Sequence, residues 1–179
     1  MELDLHIYNI EIMQLNHFKI PRKLVNREKY LIDAANGKSV LHLGCADYPY
    51  TDERIKSGTW LHSKLTDVSK ECLGIELDES SVSKLKKNYG IKNIVACDVE
   101  KLCDLANKNK YEVIIAGEII EHLKNPGLFL ESARSVLAEG GRLIITTTNA
   151  FCLRRLVRIP FGIESVHPDH TYYFSHSTR

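Results

Sequence analysis

Five short apolar runs, separated by stretches with helical periodicity, constrain the fold of this chain more than any other feature. Each run is short and ends at a glycine or a polar residue, as strands covered on both faces do. Strands that alternate with helices form a parallel sheet, because each crossover helix returns the chain to the same end of the sheet. We therefore expect an α/β fold with a doubly wound, mostly parallel sheet. The predicted strands are Ser39–Leu43, Cys72–Asp78, Asn93–Asp98, Tyr111–Gly117 and Arg142–Thr147.

Residues that start and stop helices lie between these runs. The run Arg22–Ala35 predicts a leading helix, and Asp78 is placed to cap a helix over Glu79–Asn88 that Gly90 ends. In the leading helix, the residues expected to face the core are Leu24, Val25, Tyr30 and Leu31.

A later helix is predicted to begin at Asn125 and Pro126, because asparagine caps and proline fits the first helical position. Its apolar face is expected to hold Phe129, Leu130, Ala133, Val136 and Leu137, and Gly140-Gly141 is expected to end it. Segment 47–63, which contains Trp60, has two interpretations: a surface loop with a short helix, or a flap over a pocket.

Polar residues at the ends of the first three strands suggest a ligand site. Gly44 follows the first strand and permits a tight turn, while Glu76 and Asp98 close the second and third. Ligands of open parallel sheets bind beyond the carboxyl ends of the strands, where an acid can accept both hydroxyls of a ribose. The alternatives are a helix-leading acid for Glu76 and a helix cap for Asp98.

Composition excludes several classes of protein. A net charge of +1 argues against broad electrostatic binding to nucleic acid or to an anionic membrane. The five cysteines form no C-x-x-C pair, which is typical of reduced thiols in a cytosolic protein. There is no apolar stretch of about 20 residues and no basic, signal-like start. We expect a cytoplasmic protein with no membrane partner.

Five segments resemble, in order and spacing, the motifs of class I S-adenosylmethionine-dependent methyltransferases, between about Lys38 and Thr148. These segments are Val40–Tyr48, Gly74–Asp78, Ala96–Val99, Ile114–Leu123 and Gly140–Thr147. The resemblance implies a Rossmann-like methyltransferase fold, S-adenosylmethionine as cofactor, and a single domain over residues 1–179. Within it we expect an N-terminal helical segment (1–37), a cofactor-binding core (38–148) and a substrate-side tail (149–179).

The same resemblance implies the cofactor-binding residues. Gly44 and Ala46 would line the methionine part, Cys45 between them would also bind the cofactor, and Glu76 would hold the ribose hydroxyls. The remaining assignments are Leu77 on the adenine, Asp98 and Val99 at the adenine edge, and Glu118 near the sulfonium.

The chain departs from the family pattern at its glycine turn and at its end. Only Gly44 of the usual three glycines is present, with Ala46 and Tyr48 at the other positions, and His42 stands where an acid is usual. Tyr48 is expected either outside the turn or partly in the pocket. The family usually adds two more strands after the fifth, and we expect this chain to lack them, which leaves a sheet edge that is exposed or covered by a partner such as a second copy.

The acceptor implied by the resemblance is a small molecule, with O-methylation favoured and His122 as the base. The alternative role for His122 is to brace its loop. His167–Phe174 together with Glu118–Leu123 also resembles the metal arrangement of small-RNA ribose 2′-O-methyltransferases and some ubiquinone-pathway enzymes. That likeness implies Glu118, Glu121, His122 and His170 as metal ligands, although we prefer a metal-free site.

Other interpretations stay open at the level of sequence. His167 and His170 could be polar contacts to the acceptor, and Arg154, Arg155 and Arg158 could be surface charges or could steer an anionic substrate. The chain could also be a non-catalytic cofactor-binding or interaction module, or a nucleotide-dependent dehydrogenase, although the G-x-G-x-x-G pattern of dehydrogenases is absent.

Overall fold

A computed structural model describes residues 25–102, 110–149, 152–163 and 167–174, and in them five parallel strands form one sheet in the order β3-β2-β1-β4-β5. The expected α/β architecture is confirmed. The strands are β1 (Ser39–Leu43), β2 (Glu71–Glu76), β3 (Ile94–Ala96), β4 (Tyr111–Gly117) and β5 (Leu137–Thr146). The helices are α1 (Arg27–Ala35), α2 (Thr51–Lys56), α3 (Leu61–Val68), α4 (Glu79–Tyr89), α5 (Pro126–Val136) and α6 (Leu153–Arg158).

The two faces of the central strands pack against different helices. Val40 and Val113 face one way and form a buried cluster with Leu31 of α1 and Leu65 of α3. Leu41, one position along β1, faces the opposite way, into a second cluster that contains Phe129 of α5. This alternation follows from the two-residue period of a strand, and it buries both faces of the sheet.

The predicted caps of α4 are confirmed. The side chain of Asp78 accepts hydrogen bonds from the backbone N–H groups of Ser80 and Ser81, and Gly90 ends the helix in the left-handed conformation. The Ser80 and Ser81 hydroxyls also donate to Asp78, and these bonds lower the pKa of its carboxyl to about 2.

The start of α1 differs from the prediction. Within the described residues the helix begins at Arg27 rather than Arg22, because Asn26 caps it by accepting a hydrogen bond from Lys29 N at 2.9 Å. Leu31 is buried as expected, but Val25 and Tyr30 are exposed, so their placement in the core was wrong. Leu24 lies outside the described residues.

The boundary between α5 and β5 was also predicted wrongly. The helix ends at Val136, and Gly140-Gly141 lie inside β5 rather than after the helix. Phe129, Ala133 and Val136 are buried as predicted, whereas Leu130 is exposed and Leu137 belongs to the strand. The register explains the glycines, because Tyr111 pairs with Leu137 while Val113 pairs with Arg142, which makes a bulge of the intervening residues.

Segment 47–63 is more helical than predicted. It contains α2 and the start of α3, and Trp60 between them is buried. No helix in the described part of the chain is long and apolar enough to cross a membrane.

Candidate functional site

The turn after β1 requires glycine at position 44 for two reasons. Gly44 has φ +66°, a conformation that side chains disfavour. A methyl group placed on it would also lie 2.9 Å from Cδ1 of Ile119. The backbone N–H groups of Gly44 and Cys45 donate to the carbonyl of Ile75 at 2.8 and 3.1 Å, so the turn is tied to the end of β2.

Glu76 braces this turn and keeps unused acceptor capacity. Its Oε2 accepts a hydrogen bond from Ala46 N at 3.1 Å, and its Oε1 accepts from Leu77 N at 2.9 Å and from Asp78 N at 3.4 Å. A carboxylate oxygen has two lone pairs, so Oε2 can accept a further bond from a ligand hydroxyl. The bond from Ala46 N links Glu76 directly to the turn, a connection that the sequence alone did not reveal.

The other residues assigned to the cofactor fall into two groups. Leu77 is 70% exposed directly after Glu76, as a residue that packs on a ligand ring must be. Asp98 is partly buried and accepts a hydrogen bond from Glu100 N at 2.9 Å, so it caps the 3₁₀ turn Val99–Lys101. The side chains of Cys45 and Val99 pack in buried clusters, so only their backbone groups can reach a ligand.

The Cys45 thiol is buried and is not activated as a nucleophile. Burial raises the pKa of its thiol to about 12, and its carbonyl accepts a hydrogen bond from Trp60 Nε1 at 2.8 Å. Trp60 thereby fastens segment 47–63 to the glycine turn. Tyr48 is exposed and lies outside the turn, where it lines a separate cleft with Asp78 and Ser81.

A small cavity beside Gly44 is lined in part by the cationic side chain of Arg27, a residue that the sequence analysis did not assign to the site. The cavity measures about 90 Å³, and its lining includes Arg27, His42, Gly44, Trp60 and Gly117. It is smaller than the 300 Å³ or more typical of whole-ligand pockets, so it suits one end of a ligand.

The guanidinium of Arg27 lies where a side chain on Gly117 would stand, and its Nε donates to Thr146 Oγ1 at 2.9 Å. These contacts hold a positive charge at the ends of β4 and β5, where it can pair with a carboxylate. No motif around Arg27 signalled this role, because the contact joins residues 119 positions apart.

His42, which replaces the usual acid, pairs with a second buried histidine. Its Nδ1 lies 3.3 Å from Nδ1 of His62, and the two rings stack with centroids 5.4 Å apart. Burial, together with the nearby charges of His62 and Arg27, lowers the pKa of His42 to about 3. Burial lowers the pKa of His62 to about 4. Position 42 therefore contributes a neutral group near the cavity rather than an anion.

The structure brings three histidines together beyond β4. His122, His167 and His170 each offer a ring nitrogen, and these nitrogens lie within 4.8 Å of one another. We call this group the histidine cluster. Burial and the neighbouring His122 lower the pKa of His170. His167 was predicted only as a polar contact, since nothing in the spacing placed it against His122.

The two acids of the metal set predicted from the resemblance have different environments. Glu121 is fully buried; its Oε1 accepts from Thr148 N at 3.3 Å, and its Oε2 has no hydrogen-bond partner among the described residues. Glu118 is exposed with φ +54°, and its backbone N–H donates to Thr146 O at 2.7 Å. Of that set, His122 and His170 are the pair that the cluster contains.

Comparisons with known proteins agree with this architecture. Residues 57–145 match a family described as "Methyltransferase domain", a match that begins after the glycine turn. The ubiquinone biosynthesis O-methyltransferase of Glaesserella parasuis serovar 5 is 27% identical over 134 residues, 72% of this chain and 55% of that protein. The mitochondrial enzyme of the same description from Dictyostelium discoideum is 25% identical over 118 residues, 63% of this chain and 36% of its own length.

Solved structures show the same fold. A SAM dependent methyltransferase from Archaeoglobus fulgidus superposes with a TM-score of 0.56 at 18% identity, over 84% of this chain and 61% of that one. DesVI of Streptomyces venezuelae gives 0.52 at 17% identity, over 70% and 52% of the two chains. The chain spans about half, or less, of the length of the two O-methyltransferases that it matches.

Proposed function

Because this chain belongs to the class I S-adenosylmethionine-dependent methyltransferases, we propose that it transfers a methyl group from S-adenosylmethionine to a small-molecule acceptor, most readily to an oxygen atom. The observation that carries the proposal is the turn at Gly44, which Glu76 braces while keeping acceptor capacity for a ribose. The names of the matched O-methyltransferases support an oxygen acceptor.

The residues present fit the cofactor from end to end. In this proposal Glu76 accepts the ribose hydroxyls, and Leu77 and Asp98 contact the adenine. Gly44 and Ala46 let the methionine part approach the backbone, and the Arg27 guanidinium beside Gly44 pairs with its carboxylate. Glu118, exposed at the end of β4, faces the sulfonium end. The bound cofactor supplies the reactive methyl group on a cationic sulfur.

The protein then contributes orientation and a base. His122 is exposed, and its Nδ1 lies 3.2 Å from the carbonyl oxygen of Asp169. A carbonyl can only accept, so this contact favours the tautomer in which Nδ1 carries the proton and Nε2 is free to take one. We propose that Nε2 of His122 receives the proton of the acceptor hydroxyl as it is methylated. The same contact braces the loop, so the two interpretations of His122 are compatible.

A transfer assay tests this function. The protein is incubated with methyl-labelled S-adenosylmethionine and a panel of small hydroxylated aromatic compounds, with an RNA oligonucleotide as a separate acceptor. We expect labelled small-molecule product, reduced about a hundredfold or more by His122→Gln. The control is Leu128→Ser, at an exposed leucine of α5, which should leave the rate unchanged.

Other results of the assay would redirect the proposal. Binding of S-adenosylhomocysteine without transfer to any acceptor would favour a cofactor-binding or interaction module. Label in the RNA alone would favour a ribose 2′-O-methyltransferase, and preferential binding of NAD would favour a dehydrogenase.

The histidine cluster supports a second candidate, a methyltransferase that uses a divalent metal. Three imidazole nitrogens within 4.8 Å of one another fit a zinc ion, and Oε2 of Glu121, next to His122 in the sequence, has no hydrogen-bond partner among the described residues. In this version His122 is a ligand instead of a base. Calorimetric titration with Zn²⁺ decides between them, because His167→Ala should abolish zinc binding only if the cluster is a metal site.

Two further predictions remain for the molecule as a whole. No strand covers the outer edge of β5 among the described residues, so we propose a second copy of the chain as its partner. Light scattering of the purified protein tests for that dimer.

We also propose a cytoplasmic location, which fractionation of cells that express the tagged chain would test.

A further inference from the structure

The segment Leu153–Ile163, which we call the basic apolar segment, exposes six large apolar side chains to solvent. It comprises α6, the 3₁₀ turn Ile159–Phe161, Gly162 and Ile163. None of the described side chains in it is buried. The exposed apolar residues, with accessible fractions from 46% to 76%, are Leu153, Leu156, Val157, Ile159, Phe161 and Ile163. Large exposed apolar side chains this close together in the chain indicate a binding surface.

The charges of the segment are all positive. Residues 152–163 include three arginines, at positions 154, 155 and 158, and no aspartate or glutamate. Leu153, Leu156 and Val157 follow the i, i+3, i+4 spacing that shares one face of a helix, whereas Arg155 and Arg158 fall on the other side. The helix is thus amphipathic, with a basic polar face.

The charge decides which occupant fits this surface. A second copy bound about a two-fold axis would bring the same arginines of both chains together, which disfavours that contact. An anionic lipid bilayer instead offers negative headgroups to the arginines and acyl chains to the apolar residues. We propose that the basic apolar segment docks this protein on anionic membrane surfaces, with the segment lying in the interface.

The neighbouring Tyr173 fits the same orientation at the membrane. The Arg155 guanidinium lies 5.0 Å from the ring centroid of Tyr173, so the segment is connected to residues 167–174. Tyr173 is 41% exposed, and tyrosine is enriched where one end of a side chain is apolar and the other is wet. Its ring is 6.3 Å from that of His170, so docking would place the histidine cluster close to the membrane.

The net charge of +1 argues against a broad attraction of the whole protein to anionic membranes. The attraction proposed here comes from the local positive charge of one segment. Surface charges act over about one Debye length, roughly 8 Å at physiological salt, so three arginines on one short segment attract lipid despite acids elsewhere. The proposal does not depend on methyl transfer.

Sedimentation with vesicles tests the proposal. The full chain is spun with vesicles of phosphatidylcholine alone and of equal parts phosphatidylcholine and phosphatidylglycerol. We expect binding to the mixed vesicles that weakens as salt is raised. Leu153→Ser combined with Phe161→Ser should lower the partition coefficient about tenfold or more, because both side chains are lost to the acyl region. The control is Leu128→Ser on α5, an exposed leucine away from the segment.

A second variant tests the charges. Replacing the three arginines together by glutamine should lower binding to the mixed vesicles at least about tenfold, because each basic residue adds roughly a fivefold gain near an anionic surface. The matched control is the glutamine triple variant of exposed lysines Lys86, Lys87 and Lys92.

Each outcome bears on the proposal. Retained thermal stability shows that the variants fold, and loss of vesicle binding in both, but in neither control, supports docking. No sedimentation of the wild-type chain with mixed vesicles would overturn it. Self-association that Phe161→Ser abolishes, without any vesicle binding, would assign the surface to a protein contact instead.

Discussion

The buried pair His42 and His62 should make the fold sensitive to mild acid. Their pKa values in the folded protein are about 3 and about 4, whereas an unperturbed histidine has a value near 6.5. Because the folded-state pKa is the lower one, acid protonates the unfolded chain first. The stability is therefore complete above about pH 6.5 and is lost as the pH falls towards the folded-state values.

The size of this loss follows from the two shifts. Between pH 7 and about pH 5.5 each histidine should lower the free energy of unfolding by about 1.2 kcal/mol, or about 2.5 kcal/mol for the pair. The carboxyls of Asp52, Asp78 and Glu112 have lowered pKa values, so their contribution is lost only at more acidic pH. Urea denaturation at the two pH values measures the difference.

The variant His62→Gln tests whether the buried histidine pair causes this loss of stability. Between the two pH values the variant should lose about 1.2 kcal/mol less stability than the wild type, and any constant destabilisation by the substitution cancels in that difference. His167→Gln, at an exposed histidine, is the control and should keep the full loss. If His62→Gln loses as much as the wild type, the buried pair is not the cause and our reasoning is refuted.

Four other predictions concern single side chains. Gly74→Ala should lower the free energy of unfolding by about 1–3 kcal/mol, measured with urea, because the new methyl would lie within 2.9 Å of three neighbouring side chains. Asn125→Ala should cost about 1 kcal/mol in the same assay, since Asn125 caps α5. Glu76→Ala should weaken S-adenosylhomocysteine binding, measured by calorimetry, by more than about 1 kcal/mol. Arg27→Gln should weaken it by a similar amount, while adenosine, which lacks the carboxylate, should bind the variant and the wild type equally.

The sequence predicted the features that depend on local chemistry. Apolar runs located the strands, and Asp78 and Gly90 marked the two ends of α4, because capping and left-handed turns need particular residues. Glu76 was placed at the end of β2 by the same logic. The burial of β1 on both faces also followed from its pattern, since a short and nearly continuous apolar run is typical of a central parallel strand.

Features set by contacts between distant residues could not be predicted in this way. Gly140-Gly141 resembles a helix stop, and only the register of β5 against β4 shows that the pair lies in a bulge. Arg27 reaches the site through Thr146, and His167 meets His122 through a fold that brings the two segments together. None of these contacts has a short-range signature.

The central claim is that the turn at Gly44, with alanine and tyrosine at the other glycine positions, still binds the cofactor. Calorimetric titration of the purified chain with S-adenosylhomocysteine tests it most directly. We predict binding with a dissociation constant in the micromolar range, weakened in Glu76→Ala. A folded protein that releases no heat with S-adenosylhomocysteine, and shows no rise in melting temperature with it, would contradict the claim.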